Sequence, residues 1–159
     1  MILQGDCMSA KKKISGMIDV SEKKITRRIA RAGCVVVTDK KTFDRIQKGD
    51  SPKGDVVQTA RVAGITAAKK TSEIIPMCHP LALSKVSLDF KFNVKKCQIV
   101  VLSEVVCRGR TGVEMEALTA AAIAALTIYD MMKWSDRRIE ILDLKLQYKS
   151  GGKSGIFKR

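Results

Sequence analysis

Aromatic residues are scarce in this chain, at 4% of 159 residues. Its core must therefore be built from aliphatic and small side chains. A sheet that stacks nucleobases on exposed rings would also have few rings to work with. Histidine is scarcer still: His79 is the only imidazole. The five cysteines (Cys7, Cys34, Cys78, Cys97 and Cys107) are odd in number, scattered, and include no CxxC pair. That lacks the ligand spacing of a zinc site, so no metal is expected, and it fits reduced thiols in a cytoplasm. The opening MILQGDCMSAKKK puts its charges after a short apolar patch, the reverse of a secretory signal, so none is expected. Long apolar runs are missing too. The uncharged stretch Ala117–Tyr129 falls well short of the ~18–20 residues that a bilayer span needs.

What is present fits one ordinary globular domain: 45% hydrophobic and 29% charged residues over a length that supports one sizeable core. Residues 1–16, with the Lys11–Lys13 run, read as a disordered leader. Residues 17–159 read as a single domain with a basic N-terminal arm and a flexible basic C-terminal tail. The net charge of +14 is unevenly placed. Residues 1–31 hold eight Lys and Arg against three acids, and residues 145–159 hold five against none. Two basic ends on a nearly balanced body suggest segments that meet a polyanion, either a nucleic acid or a nucleoside triphosphate.

Periodicity orders the elements. Asp19–Arg31 reads as an extended arm or short helix, and Gly33–Thr38 as a β-branched strand ended by Asp39. A short helix follows to about Gln47, then a KGDSPKG loop, then a helix from Asp55 to Ile75 stopped by Pro76. Val56, Ala60, Ala63 and Ala67 form a small-residue stripe on that helix. Ser84–Phe92 alternates cleanly as a half-buried strand, and Gln98–Cys107 is apolar on both faces. Val113–Lys133 is a helix of strong formers, apolar nearly all round but charged at both tips. Arg138–Tyr148 closes the series, with Leu142, Leu144, Leu146 and Tyr148 alternating. The predicted class is α+β, a ferredoxin-like βαββαβ order with an antiparallel sheet covered by helices. A two-layer domain cannot bury both its apolar strand and its apolar helix, so an oligomer is expected.

Several residues could carry chemistry. His79 lies in a loop fixed between Pro76 and Pro80, where it is either an acid–base or phosphate-binding group or a histidine satisfied by a backbone carbonyl. Cys78 beside it points elsewhere along an extended chain, so the two do not form a dyad. Asp130 and Lys133 are i and i+3 on one helix face, flanked by Tyr129, Met131 and Met132, whose bulk predicts partial burial and coupled pKa values. Glu116 and Asp130 share nearly the same face but lie ~21 Å apart along the axis at 1.5 Å per residue. They therefore touch opposite ends of a long ligand or serve sites completed by different subunits. Lys149–Gly155 is not a Walker loop, because Gln147 stands where glycine is required and no helix can follow. Its lysines and glycines can still wrap a phosphate chain. Lys53, at a helix start, is a further phosphate contact.

Three stretches, KGDVVQTARVAGITAAKKTSEIIPMCHPLALSKV, TGVEMEALTAAAIAALTIYDMMK and KSGGKSG, together resemble the molybdenum cofactor biosynthesis protein C family, the cyclic pyranopterin monophosphate synthases. The resemblance runs from about Met17 to Phe157. It implies a ferredoxin-like subunit in a homohexamer, a trimer of dimers with active sites at interfaces. The implied substrate is a cyclised dihydro-GTP that is converted to a pyranopterin with a cyclic phosphate, releasing pyrophosphate without a cofactor. It implies Asp130 as catalytic acid–base with Lys133 beside it, and a substrate site lined by Met77, Cys78 and His79 and by Met115 and Glu116, with Glu114 close by. Lys53, Lys149, Lys153, Lys23 and Arg28 match the family's basic motifs. Met77 replaces the family's leucine, a volume-conserving change. The other class the charge permits is a basic RNA-binding module, and only the charge supports it.

Overall fold

Thr26 to Val37, a basic first half followed by small and β-branched residues, forms one 12-residue strand, β1. Its Ala30, Ala32, Cys34 and Val36 are buried. The strand begins seven residues earlier than the sequence alone predicts, taking in half of the expected arm. The reason is tertiary: β3 pairs along the whole strand and β4 from Ile29 on, supplying hydrogen bonds that the basic segment TRRIAR could not form alone. The computed structural model describes residues 16–159, so the expected leader, Gly16 apart, lies outside the described residues.

Asp39 caps α1 (Lys40–Lys48), its carboxylate accepting the Thr42 N–H at 2.7 Å. Asp55 caps α2 (Val56–Lys69) in the same way through Gln58. The single helix expected to Ile75 breaks at Lys70, and a short α3 (Thr71–Ile74) follows. The Thr71 hydroxyl bonds back to the carbonyls of Ala67 and Ala68, competing with the helix ladder. Next come β2 (Leu83–Asn93), β3 (Gln98–Gly109), α4 (Glu114–Met132), β4 (Glu140–Ser150) and a two-residue β5 (Phe157–Lys158).

The five strands pair in the order β2-β3-β1-β4-β5, antiparallel throughout, as an α+β reading requires. β1 is thus central, and α4 crosses β1, β3 and β4 while running along α2. By length and composition α4 could cross a bilayer, but Ala117, Ala120, Ala121, Ala124 and Ala125 are fully buried in the core. As the aromatic shortage demands, that core is aliphatic; Phe43 is its one fully buried ring, meeting Phe92 edge-on at 5.7 Å. β4 departs from the expected alternation. Asp143 adopts φ 58° and the register against β1 shifts there, leaving Leu142 and Leu144 exposed while Leu146 packs on the core.

On α2 the buried small residues are Ala60, Gly64, Ala67 and Ala68, with Gly64 taking the place expected for Ala63. A Cβ on Gly64 would sit 2.6 Å from Leu88 Cδ2 and 2.8 Å from the Ala120 carbonyl. The lack of a side chain therefore sets how closely α2 approaches α4. Gly64→Ala gains ~1 kcal/mol of helix propensity but should lose ~1–3 kcal/mol to overpacking. A lowered urea midpoint is the expected net result.

Candidate active site

Two charged clusters stand at opposite ends of α4. At its C-terminal end Lys133 Nζ lies 2.7 Å from Asp130 Oδ1. Lys53, from the loop between α1 and α2, donates to Asp130 Oδ2 at 2.8 Å and to the Asp130 carbonyl at 3.1 Å. The carboxylate thus bridges two ammonium groups. Hydrogen bonds from Lys133 and then Lys53 lower its pKa to about 2, and the carboxylate in turn raises that of Lys133. The partial burial expected from Tyr129, Met131 and Met132 is absent: Asp130 and Lys133 are each 54% exposed, because Met131 and Met132 turn into the core. Ion pairing, not desolvation, tunes this group. Tyr129, Lys133, Trp134 and Arg137 border an open cleft of about 390 Å³ beside it.

At the other end, a cavity of about 310 Å³ lies over the start of α4. Lys23, Arg28, Arg110, Lys149 and Lys153 border it, and Glu114 is its acid. Arg28 is buried and donates to the carbonyls of Gly109, Arg110 and Gly151 at 3.4, 3.1 and 2.9 Å. It thereby ties β1 to the loop before α4 and to the strap after β4. Gly151 and Gly152 have φ of 99° and 77°, and a side chain on either would collide with the Arg27 carbonyl or the Arg28 guanidinium. Lys149 Nζ contacts Glu114 Oε1 at 3.1 Å, and Arg110 Nε donates to the Lys23 carbonyl at 3.2 Å. A cavity so rich in cations is suited to phosphoryl oxygens.

The third predicted group flanks this end. Glu116 is 4% exposed, and burial with the charge of Glu114 raises its pKa. Burial and then the charge of Glu116 raise the pKa of the Cys78 thiol. Met77 and Met115 present exposed thioethers. His79 Nε2 donates to the Ile18 carbonyl at 2.8 Å, the backbone-satisfied arrangement. Among the described residues no three His, Cys, Asp or Glu side chains converge as metal ligands.

Residues 17–152 of the chain match the MoaC family. The chain belongs to that family. It is 52% identical over 143 residues to the cyclic pyranopterin monophosphate synthase of Campylobacter jejuni subsp. jejuni serotype O:6, covering 90% of this chain and 91% of the relative. The enzyme of the same name from Syntrophomonas wolfei is 52% identical over 139 residues, covering 87% and 88%. Cyclic pyranopterin monophosphate synthase 1 of Mycobacterium tuberculosis is 49% identical over 146 residues, covering 90% and 84%.

Within this MoaC-family fold the predicted residues fall into sets. Lys53 joins Asp130 and Lys133; Lys23, Arg28, Glu114, Lys149 and Lys153 share the cavity; and Glu116 lies in the same first turn of α4 as Glu114. The Asp130 set does not merge with the others within one chain, because the length of α4 separates them. Sequence reasoning missed Arg110 and Trp134. Arg110 had a signal, the basic RGRTG loop before the helix. The pairing of Lys53 with Asp130, 77 residues apart, had none.

Proposed function

We propose that this MoaC-family chain is a cyclic pyranopterin monophosphate synthase, a lyase of molybdenum cofactor biosynthesis. Its substrate is (8S)-3',8-cyclo-7,8-dihydroguanosine 5'-triphosphate, which it converts to cyclic pyranopterin monophosphate and pyrophosphate. The observation that carries this reading is the Lys53–Asp130–Lys133 cluster on a family member that also holds a cation-lined cavity. Rearranging a purine into a pterin requires serial proton transfers, for which Asp130, Lys133 and His79 are the groups at hand. Closing the cyclic phosphate forms a bond from a sugar oxygen to the α-phosphorus and breaks the bond from that phosphorus to the pyrophosphate oxygen. Lys23, Arg28, Lys149 and Lys153 neutralise the charge on the departing pyrophosphate. Met77, Cys78, Met115 and Glu116 hold the ring system, Lys53 supports Asp130, and no cofactor takes part.

Glu114 in the cavity and Asp130 in the other cluster are ~24 Å apart along α4 at 1.5 Å per helical residue. A single small substrate therefore draws them from different subunits, and we place the site between ferredoxin-like subunits of a homohexamer, a trimer of dimers. Exposed Val62 on α2 and Leu126 on α4 supply apolar surface for such contacts. The described cysteines, Cys34, Cys78, Cys97 and Cys107, are all free thiols, which suits the cytoplasm.

The test is incubation of the purified chain with the cyclised dihydro-GTP, measuring pyrophosphate and the oxidised pterin product. Stoichiometric release of both is expected. Absence of release where the Mycobacterium tuberculosis relative turns over would overturn the reading. No observation favours the RNA-binding alternative: Phe90 and Phe92 pack against the core, unavailable for base stacking.

A further inference from the structure

We propose that Arg45 is a positioning residue that fixes the Lys53 turn against Asp130. Arg45 lies in the last turn of α1, and its guanidinium carbon stands 4.7 Å from the centre of the Trp134 ring. One terminal nitrogen donates to Ser135 Oγ at 3.1 Å, and that hydroxyl also shares a 2.8 Å hydrogen bond with Thr42 Oγ1. Trp134 and Ser135 directly follow Lys133. One side of Arg45 is therefore fastened to the turn that ends α4.

The other side holds the loop that carries Lys53. Arg45 Nε faces Asp50 Oδ2 at 3.6 Å, and the Arg45 carbonyl accepts the Asp50 N–H at 2.9 Å. Three residues later Lys53 rises from a turn closed by the Gly54 N–H on the Ser51 carbonyl at 3.1 Å. Apart from Ser51, residues 49–55 are exposed, so no apolar anchor holds this loop. Ordering it costs backbone entropy, which local contacts must offset. Arg45 supplies contacts to both partners at once: a stacked plane, a directed donor and an ion pair. A lysine at this position has neither the plane nor the fork.

This assignment rests on the reading of Asp130 as the catalytic carboxylate, but its position can be tested without turnover. The charged groups facing Asp130 are Lys133 on its own helix and Lys53 from the loop. In ¹³C NMR of the full chain, Arg45→Ala should move the Asp130 titration midpoint from about 2 upward, towards an ordinary carboxylate. Arg45→Lys should not restore it. With substrate, kcat should fall roughly 10-fold with KM little changed, within the ~10²-fold cost of a 1 Å misplacement.

Asp50→Ala removes only the loop-side partner, at an exposed position, and should shift the midpoint in the same direction even if Arg45→Ala fails to fold. In a Lys53→Ala background neither substitution should move the midpoint further. An unchanged midpoint in folded Arg45→Ala or in Asp50→Ala, or a further shift on top of Lys53→Ala, overturns the proposal. A normal set of shifts without turnover by the parent chain would instead sink the proposed function alone.

Discussion

Asp130→Asn should give a folded chain that releases pyrophosphate from the cyclised dihydro-GTP ~10²–10⁴-fold more slowly, the range removed with a general acid–base group. The substitution preserves shape and removes only charge. Its site is half exposed on the last turn of α4, so helix and core should be undisturbed and circular dichroism unchanged. What changes is the grip on two lysines: Lys53 and Lys133 lose the carboxylate that each contacts within 2.8 Å. A variant retaining most of its rate would remove Asp130 from the mechanism.

The same carboxylate gives a pH signature with a definite sign. Its pKa in the fold, about 2, is depressed below the ordinary value. The stabilising ion pairs are therefore complete above pH ~4 and are lost as pH falls through about 2. Acid titration of the parent chain should show this loss, and Asp130→Asn should lack that component. At neutral pH the unliganded group is an ionised, doubly hydrogen-bonded carboxylate, a weak base. For it to take a proton, the substrate must draw one of the lysines away.

Arg28→Ala has the second largest expected effect, and it acts at the opposite end of α4. Arg28 is the buried link among three carbonyls from three segments, those of Gly109, Arg110 and Gly151. A charged hydrogen bond of this kind contributes ~1.5–3 kcal/mol, so a loss of ~2–4 kcal/mol in urea unfolding is expected. The 151–156 strap should also become cleavable by protease. KM for the substrate should rise by roughly 10²-fold, about 2.7 kcal/mol at 1.36 kcal/mol per factor of ten, while kcat falls less. A normal KM in a folded variant would mean that the triphosphate does not use this cavity.

The helix from Glu114 to Met132 was legible because Ala, Leu, Met and Glu agree locally with what the fold requires. So were β2, from its alternation, and β3, from its continuous apolar run. The first half of β1 was not, because Arg27, Arg28 and Arg31 suggest a solvated arm until two neighbouring strands are supplied. Each tip of α4 could be named from sequence, but not what met it. Lys53 arrives at Asp130 through a loop whose path is set by Arg45 and Trp134, contacts that no periodicity encodes. The 151–156 segment read as tail because glycine and lysine mark mobility. In the fold Arg28 holds its start, and Phe157–Lys158 pairs with β4 at its end.

The central place of β1 has a consequence for how the chain folds. Thr26 pairs with Gly109, and Ile29 pairs with Ser150. The sheet is therefore closed by loops that span most of the sequence. Such closures are entropically costly and slow compared with local hairpins. During synthesis β1 meets β4 only after every element between them has been made. Until then β2 and β3 can pair as a hairpin, but Arg28 lacks the Gly151 carbonyl and the cation cavity lacks Lys149 and Lys153. A chain that stops short of β4 carries its N-terminal basic segment without the basic residues 145–159 that complete the cavity.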